Sequence, residues 1–258
     1  RKRINEYATG RDRPDKINTS MLSPHLHFGE ISPVRVYMKI NSISADTNEN
    51  TKKFLSEIGW REFSYNLLYN YPKIDKLPIQ KKFMNFPWIK DITNLKKWKN
   101  GQTGIPIVDA GMRQLYETGW MHNRVRMIVG SFLCKNLLIH WKEGKKWFYD
   151  TLVDADIASN SAGWQWIAGC GADAAPYFRI FNPILQGEKF DPDGTYVKKF
   201  VKELKDIPTK FIHKPWDIEL ENQKRFNCII GKDYPFPIVD LNISRKRALS
   251  AFQSISNK

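Results

Sequence analysis

Three runs within residues 119–186 decide the fold: GWMHNRVRMIVGSFLCKNLLIHW at 119–141, DADIASNSAGWQW at 154–166 and GADAAPYFRIFNPILQ at 171–186. On a helix, side chains four residues apart share one face, as Asn123 and Met127 would. Met127, Cys134 and Trp141 follow at heptad spacing, so a continuous helix over residues 122–141 would carry them along one side. The first run therefore predicts a long helix with polar groups at one end and an indole at the other.

The second run predicts another helix with a polar face. Asp156, Asn160 and Trp164 are each four residues apart and share that face. Arg126 is the natural partner for Asp154 or Asp156 if the two helices pack together. Such residues would build a buried site for a planar, electron-carrying cofactor. Two amphipathic helices joined by a buried ion pair would show the same spacing, so that alternative stays open.

The composition indicates a globular protein whose partner is a polyanion. The 258 residues include 41 Lys and Arg against 27 Asp and Glu, a formal net charge of +14, and nine Trp. Bases stack on aromatic faces, so basic and aromatic side chains together favour nucleic acid over a merely solvated basic surface. No apolar stretch reaches the ~18 residues of a membrane span, so no membrane partner is expected. The three scattered Cys indicate reduced thiols, as in a cytoplasmic protein.

The whole chain, residues 1–258, is predicted to form one all-α domain. Pro and Gly mark helix ends: Pro33 follows the capping residue Ser32, Pro106 begins a helix, and Gly119 ends it. The predicted helices span residues 32–44, 50–71, 92–100, 106–118, 122–141, 144–153, 157–168, 195–205 and 244–256. The predicted loops are residues 72–91 and 169–194, which are rich in Pro or Gly. No alternation of apolar and polar residues is strong enough to predict a sheet.

Two short motifs carry little weight. GCGADA at residues 169–174 matches a dinucleotide-binding loop, but it follows a helical stretch and Pro176 blocks an ordinary helix after it. His25 and His27 are two residues apart and have no third ligand nearby. We therefore predict neither a dinucleotide-binding loop at residues 169–174 nor a metal site at His25 and His27.

The polar groups near the N-terminus, in residues 18–24, are more informative. NTSMLSP at residues 18–24 places hydroxyls and backbone donors ahead of a helix, which suits phosphate oxygens but also an ordinary capping loop. Tyr7 and Arg11 lie four apart just upstream and could reach the same place. Asp154 and Asp156 are better placed for hydrogen bonding at a helix start than for a metal ion, so no metal is expected.

Five runs together resemble the C-terminal FAD-binding region of the photolyase/cryptochrome family, most nearly the class I cyclobutane-pyrimidine-dimer photolyases. They are GRDRPDKINTSMLSPHLHFGEISP, GWREF, WKNGQTGIPIVDAGMRQLYETGWMHNRVRM, DADIASNSAGWQW and DAAPYFRIFNPILQGEKFD, and they cover most of residues 7–196. Residues 205–258 match only loosely. The resemblance implies the helical FAD-binding domain of that family.

The resemblance implies FAD, folded back on itself inside the helical domain, as the cofactor. Residues 154–156 would contact its flavin and adenine ends, with Arg126 paired to Asp154, and Asn160 would face the flavin N5. Tyr7 and residues 19–23 would hold its phosphates and ribitol. The implied cofactor-binding residues are Tyr7, Thr19, Ser20, Met21, Leu22, Ser23, Phe54, Arg126, Asp154, Ala155, Asp156 and Asn160.

The resemblance further implies a deoxyribodipyrimidine photo-lyase, in which excited, reduced FAD passes an electron to a cyclobutane pyrimidine dimer in UV-damaged DNA. Trp60 and Trp166 would form the walls of a pocket for the flipped-out dimer, because bases stack on apolar planes. Glu57 would hydrogen-bond a thymine carbonyl. The implied catalytic residues are Glu57, Asn123, Met127 and Asn160. The implied DNA-binding residues are Arg11, Glu57, Trp60, Arg61, Asn123, Arg124, Trp166 and Gln186.

A second electron path, through Trp164, Trp141 and Trp88, is implied for reducing oxidised flavin. The family's N-terminal α/β domain, which holds an antenna pigment, is not expected in this chain, so no antenna is assigned. The chain is expected to be a monomer. The alternative function is a cryptochrome-type blue-light sensor without repair activity, although Asn at position 160 resembles the photolyases.

Overall fold

The computed structural model describes residues 2–43, 48–173 and 178–256. Within these ranges the fold is all-α, as predicted, and the one β-type contact is an isolated bridge between Ile230 and Tyr234. The α-helices are α1 Tyr7–Gly10, α2 Ser23–His27, α3 Pro33–Ile43, α4 Glu49–Asn70, α5 Ile92–Lys99, α6 Pro106–Thr118, α7 Asn123–Ser131, α8 Trp141–Thr151, α9 Ile157–Ala168, α10 Pro183–Phe190, α11 Thr195–Phe200, α12 Leu220–Arg225 and α13 Leu241–Ser256. None of these described helices is both long and apolar enough to cross a membrane. Ala174, the last residue of the dinucleotide-like motif, and Pro176, which follows the motif, lie outside the described residues.

Capping groups explain why many of the predicted helix boundaries hold to within a few residues. Asn48 accepts a hydrogen bond from the Thr51 backbone N–H (3.0 Å) where α4 begins, and Asp91 accepts one from Asn94 (2.9 Å) where α5 begins. Gly119 ends α6 with a φ of 67°, a left-handed conformation that glycine adopts without strain. These are local signals, and they are readable in the sequence.

The predicted continuous helix over residues 122–141 is wrong. Helix α7 ends at Ser131, a π-helical turn spans Phe132–Asn136, and Leu138 has a φ of 53°. Every residue from 128 to 139 is buried, so no polar face marks where the helical phase is lost. The chain therefore changes direction before Trp141, which begins α8 three residues earlier than predicted.

The prediction that Met127, Cys134 and Trp141 lie along one side of a helix is also wrong. Met127 lies on α7, Cys134 on the π-helical turn and Trp141 on α8, so the heptad spacing does not place them along one helix. Their heptad spacing arises by chance within an apolar run. The indole of Trp141 reaches the core from a separate helix.

Further differences occur in the segments that were predicted from composition. The predicted loop 169–194 contains α10. Asn182 caps the start of this helix by accepting a hydrogen bond from the Ile184 backbone N–H (3.0 Å). The predicted helix 195–205 ends at Phe200 and continues only as the 3-10 turn Lys202–Leu204. The predicted loop 72–91 contains the 3-10 turn Lys81–Asn85.

Helix α9 lies at the centre of the fold and packs against α4, α7 and α8. The large core cluster includes residues from α6 to α9, α11 and α13, whereas a small separate cluster holds Tyr7, Leu26, Val36 and Phe54 near the start of α4. A cleft remains where the two clusters meet α9. The residues that face this cleft form the candidate site.

Candidate functional site

Two adjoining cavities occupy the cleft. The larger, of about 580 Å³, lies among α4, α7 and α9, and the smaller, of about 330 Å³, lies between α4 and the segment before α2. They share a wall that includes Glu57, Asn123, Arg126, Asp154 and Asp156. Both volumes fall in the range of about 300–1,000 Å³ that is usual for ligand sites. Together they form one elongated recess.

All residues predicted to bind the cofactor line this recess. The smaller cavity has in its wall Tyr7, Thr19, Ser20, Met21, Leu22, Ser23 and Phe54. The larger has Ala155 and Asn160, and both have Arg126, Asp154 and Asp156. Residues more than 150 positions apart in sequence are therefore brought to one surface.

Asp154 and Arg126 form a buried ion pair across the floor of the recess. Arg126 donates to Asp154 Oδ2 (2.9 Å) from one guanidinium nitrogen and to the Met121 carbonyl oxygen (2.7 Å) from Nε. The Asp154 side chain is 2% exposed, and its other oxygen, Oδ1, is buried without a hydrogen-bond partner among the described residues. Leaving a buried acceptor unsatisfied costs about 1–3 kcal/mol. A ligand N–H or O–H would satisfy it.

Asp156 and Asn160 are held by the backbone around them. Asp156 caps α9 by accepting from the Ser159 N–H (2.7 Å), and Asn160 Nδ2 donates to the Lys145 carbonyl oxygen on α8 (3.0 Å). The Asn160 amide therefore keeps its oxygen as an acceptor at the cavity. The first turn of α9, with its backbone dipole, also faces the recess, which favours negative charge in a ligand.

The residues predicted to face DNA mostly meet at the larger cavity. It is lined by Arg11, Glu57, Trp60, Asn123, Arg124, Met127 and Trp166, and Arg61 lines the smaller one. The indole of Trp60 is 50% exposed, which leaves an apolar plane open at the mouth. Gln186 lies on α10 and lines neither cavity, so the structure does not bring it to the recess.

Each of the three arginines near the mouth is already paired with a carboxylate. Arg11 pairs with Glu57, Arg61 with Glu62 (3.2 Å) and Arg124 with Asp12 (2.7 Å). The pair between Arg11 and Glu57 joins two residues for which the family resemblance implies DNA binding. These pairs hold the arginine side chains in place around the mouth.

The three tryptophans of the predicted electron path differ in exposure. Trp164 lines the larger cavity and is 2% exposed, Trp141 is 1% exposed, and Trp88 is partly exposed. Trp164 packs edge to face on Phe148, with ring centroids 5.0 Å apart, and Gly144 on α8 leaves room for it. An added Cβ at Gly144 would lie 2.1 Å from the Trp164 ring.

His140 joins the other two tryptophans, and sequence reasoning missed it. Its ring centroid is 5.0 Å from that of Trp88 and 5.5 Å from that of Trp141. Burial lowers the pKa of His140 to about 4, so the imidazole is neutral at neutral pH. Nothing in a lone His at the end of an apolar run would have signalled this position.

The motifs set aside in the sequence carry no cluster of ligands. His25 Nδ1 lies 2.6 Å from Glu30 Oε2 in an exposed pair. Across the described ranges, no three His, Cys, Asp or Glu side chains gather as a metal site would require.

Comparisons with known proteins identify what the recess resembles. The family model described as "FAD binding domain of DNA photolyase" matches residues 54–254. A protein named deoxyribodipyrimidine photo-lyase from Agrobacterium fabrum is 54% identical over 250 residues, which cover 96% of this chain and 52% of that protein. The crystal structure of a bacterial class III photolyase from Agrobacterium tumefaciens has a TM-score of 0.95 and 52% identity, covering 99% of this chain and 53% of that one. Cryptochrome-1 from Arabidopsis thaliana is 40% identical over 258 residues, covering 97% of this chain and 38% of that protein. The chain thus spans about half the length of the photo-lyases it matches.

Proposed function

The chain belongs to the DNA photolyase and cryptochrome family and carries its FAD-binding domain, and on this premise we propose that it repairs cyclobutane pyrimidine dimers in DNA with light. The observation that carries the proposal is the recess, where cofactor-type groups and an open indole plane share one wall. Bound, reduced FAD would supply an excited electron that opens the cyclobutane ring and then returns, so that no net oxidation occurs. The relatives bear both class III and cryptochrome names, so the class I assignment stays a prediction.

The residues of the recess fit FAD. Asp154 Oδ1 is a buried acceptor that has no donor within the described part of the chain, and a flavin or adenine N–H would provide one. Asn160 keeps an amide oxygen for the same purpose, because its Nδ2 is occupied by Lys145. The hydroxyls of Thr19, Ser20 and Ser23 line the smaller cavity and suit phosphate and ribitol oxygens.

The larger cavity would receive the dimer after it leaves the duplex. Trp60 and Trp166 offer indole faces for stacking, and a dimer pairs poorly with the opposite strand, so its extrusion costs less than that of normal bases. Asn123 and Met127 line the same space and would contact the bases. The net charge of +14 would favour association with the DNA backbone.

Glu57 would act on the bases directly. A carboxyl group donates to a thymine carbonyl only while it carries its proton. Glu57 is paired with Arg11 in this structure. We therefore expect the incoming dimer to take the place of Arg11 beside Glu57, while Arg11 turns to a DNA phosphate.

A repair assay tests the proposal. Chemically reduced protein is mixed with an oligonucleotide that contains one thymine dimer, and the restored bases are measured after blue light and after darkness. Repair in the light alone supports the proposal. Bound flavin without repair in either condition would favour the blue-light sensor, a function that the identity to a plant cryptochrome also permits.

A further inference from the structure

The His140 ring packs against two indoles of the predicted electron path, those of Trp88 and Trp141. Its centroid is 5.0 Å from the Trp88 ring and 5.5 Å from the Trp141 ring, and both pairs are tilted, at 45° and 36°. The imidazole thus provides a continuous packed contact from the buried indole to the partly exposed one.

We propose that His140 is a positioning residue of the electron path, whose ring sets the separation and coupling between Trp141 and Trp88. The inference rests on the proposed function, because it takes photoexcited oxidised flavin as the electron acceptor. Trp164 would give one electron to the flavin. Trp141 would then pass one electron to Trp164, and Trp88 would pass one to Trp141. Trp88 ends one electron short and can release its indole proton to solvent. His140 is neither oxidised nor reduced.

Charges around Trp141 give the transfer a direction. The ammonium groups of Lys142 and Lys145 each lie 5.9 Å from the Trp141 ring centroid. A positive charge on Trp141 is repelled by both, so it is favoured to move outward to Trp88. The rate of such a move depends on the separation of the two indoles and on the atoms between them, and the His140 ring packs against both.

His140 also has a structural duty, which a test must separate from bridging. Its Nδ1 accepts a hydrogen bond from the Lys142 backbone N–H (3.1 Å) and so caps α8. Asn at this position would keep a capping acceptor but lose the ring. Phe would keep a ring but lose the cap. The two substitutions therefore exchange the two roles.

The experiment compares wild type, His140→Asn, His140→Phe and Trp88→Phe. Two quantities are measured: the rate at which light reduces oxidised flavin in the holoprotein, and thermal unfolding of the apoprotein. If the ring bridges, His140→Asn reduces flavin as slowly as Trp88→Phe, although it keeps a capping acceptor for α8. His140→Phe then unfolds at a lower temperature but retains photoreduction.

A fluorescence measurement on the apoprotein supplies a readout that needs no flavin. The emission of Trp88 is obtained by subtracting the spectrum of the matched variant with Trp88→Phe. Water entering the gap in His140→Asn should shift this emission to longer wavelength, whereas His140→Phe should leave it in place. An unshifted emission in His140→Asn would contradict the packing on which the bridge depends.

The outcomes keep this inference apart from the proposed function. Wild-type photoreduction in His140→Asn, alongside its loss in Trp88→Phe, overturns the role of His140 alone. Undiminished photoreduction in Trp88→Phe removes the path through Trp88 and this inference with it. Dimer repair by chemically reduced wild-type protein is scored separately, and its absence would overturn the proposed function.

Discussion

Replacing Asp154 with Asn tests the assignment of the recess to a cofactor. The carboxylate of Asp154 has two acceptor oxygens. One accepts from Arg126 (2.9 Å), and the other is buried and has no partner among the residues that the structure describes. An amide has a single acceptor oxygen. If that oxygen accepts from Arg126, the NH₂ group of Asn would face the N–H donor of the ligand, and the two donors could not form a hydrogen bond.

The magnitude follows from the two contacts. Unit charges 2.9 Å apart attract by about 6 kcal/mol at an effective dielectric constant of ~20, before the cost of desolvation is subtracted. Arg126 is 24% exposed and keeps its bond to the Met121 carbonyl oxygen, so the apoprotein should lose only about 1–3 kcal/mol of stability. A hydrogen bond to a charged acceptor is worth about 1.5–3 kcal/mol, so FAD affinity should fall roughly 10- to 150-fold.

The assay is a titration of apoprotein with FAD, followed by flavin fluorescence. The matched control is Asp15→Asn, because Asp15 also pairs with an arginine, Arg13, at 2.8 and 2.7 Å, and its side chain is 8% exposed. Asp15 lines neither cavity, so that variant should lose stability but keep its affinity for FAD. Equal affinity of Asp154→Asn and wild type would refute the reasoning.

Three further changes should have measurable effects. Trp60→Ala should weaken binding to dimer-containing DNA by about 1–3 kcal/mol, the worth of one base stacked on an aromatic ring, as measured by fluorescence anisotropy. Gly144→Ala should cost about 1–3 kcal/mol in denaturant unfolding, because its Cβ would lie 2.1 Å from the Trp164 ring. Burial lowers the pKa of His122 from 6.5 to about 4, so the stability that its neutral form contributes is complete above about pH 6.5. That contribution falls by roughly 3 kcal/mol as pH drops to about 4, because the unfolded chain takes up the proton first.

Matched variants sharpen these tests. Tyr69 lies on the same helix as Trp60 and is 84% exposed, so Tyr69→Ala should bind damaged DNA like wild type. Gly163 has open space around its missing side chain, and Gly163→Ala should stabilise α9 by up to about 1 kcal/mol. His122→Asn should flatten the loss of stability between pH 6.5 and about 4. Equal effects of each variant and its control would contradict the contact invoked.

Local chemistry made many of the helices predictable. Pro106 and Gly119 delimit α6 because one fixes a helical φ and the other adopts the left-handed turn that ends it. Asp156 signals α9 in the same way, as a side-chain cap. Such signals lie within a few residues of the boundary that they determine.

The interior of the fold gave no comparable signal. Lys135 and Asn136 are polar residues within a buried run. Lys135 Nζ donates to the Ala168 carbonyl oxygen (2.9 Å) and Asn136 Nδ2 donates to Ser244 Oγ (2.9 Å), and both acceptors are distant in sequence. Periodicity cannot reveal a break where every side of a helix is buried. The π-helical turn was therefore not predictable from the pattern.

The residues of the recess came from resemblance, whereas their pairing came from the structure. Arg126 and Asp154 were expected as partners and lie 2.9 Å apart, so that prediction is confirmed. Arg124 and Asp12 are 112 positions apart, and no spacing in the chain indicated their contact. Gln186 was expected beside the others, but the unpredicted helix α10 holds it elsewhere.

The carboxylates beside Arg11, Arg61 and Arg124 change what DNA binding would release. An arginine that is already neutralised within the protein condenses few anions from solution, and on reaching a phosphate it frees a carboxylate in exchange. For B-DNA, each phosphate neutralised by a free cation contributes about −0.9 to the slope of log K against log salt concentration. The DNA would still release condensed cations when these arginines reach phosphates, so they would add to the salt slope. Each arginine would first give up an ion pair within the protein, so it would add less to affinity than an unpaired cation.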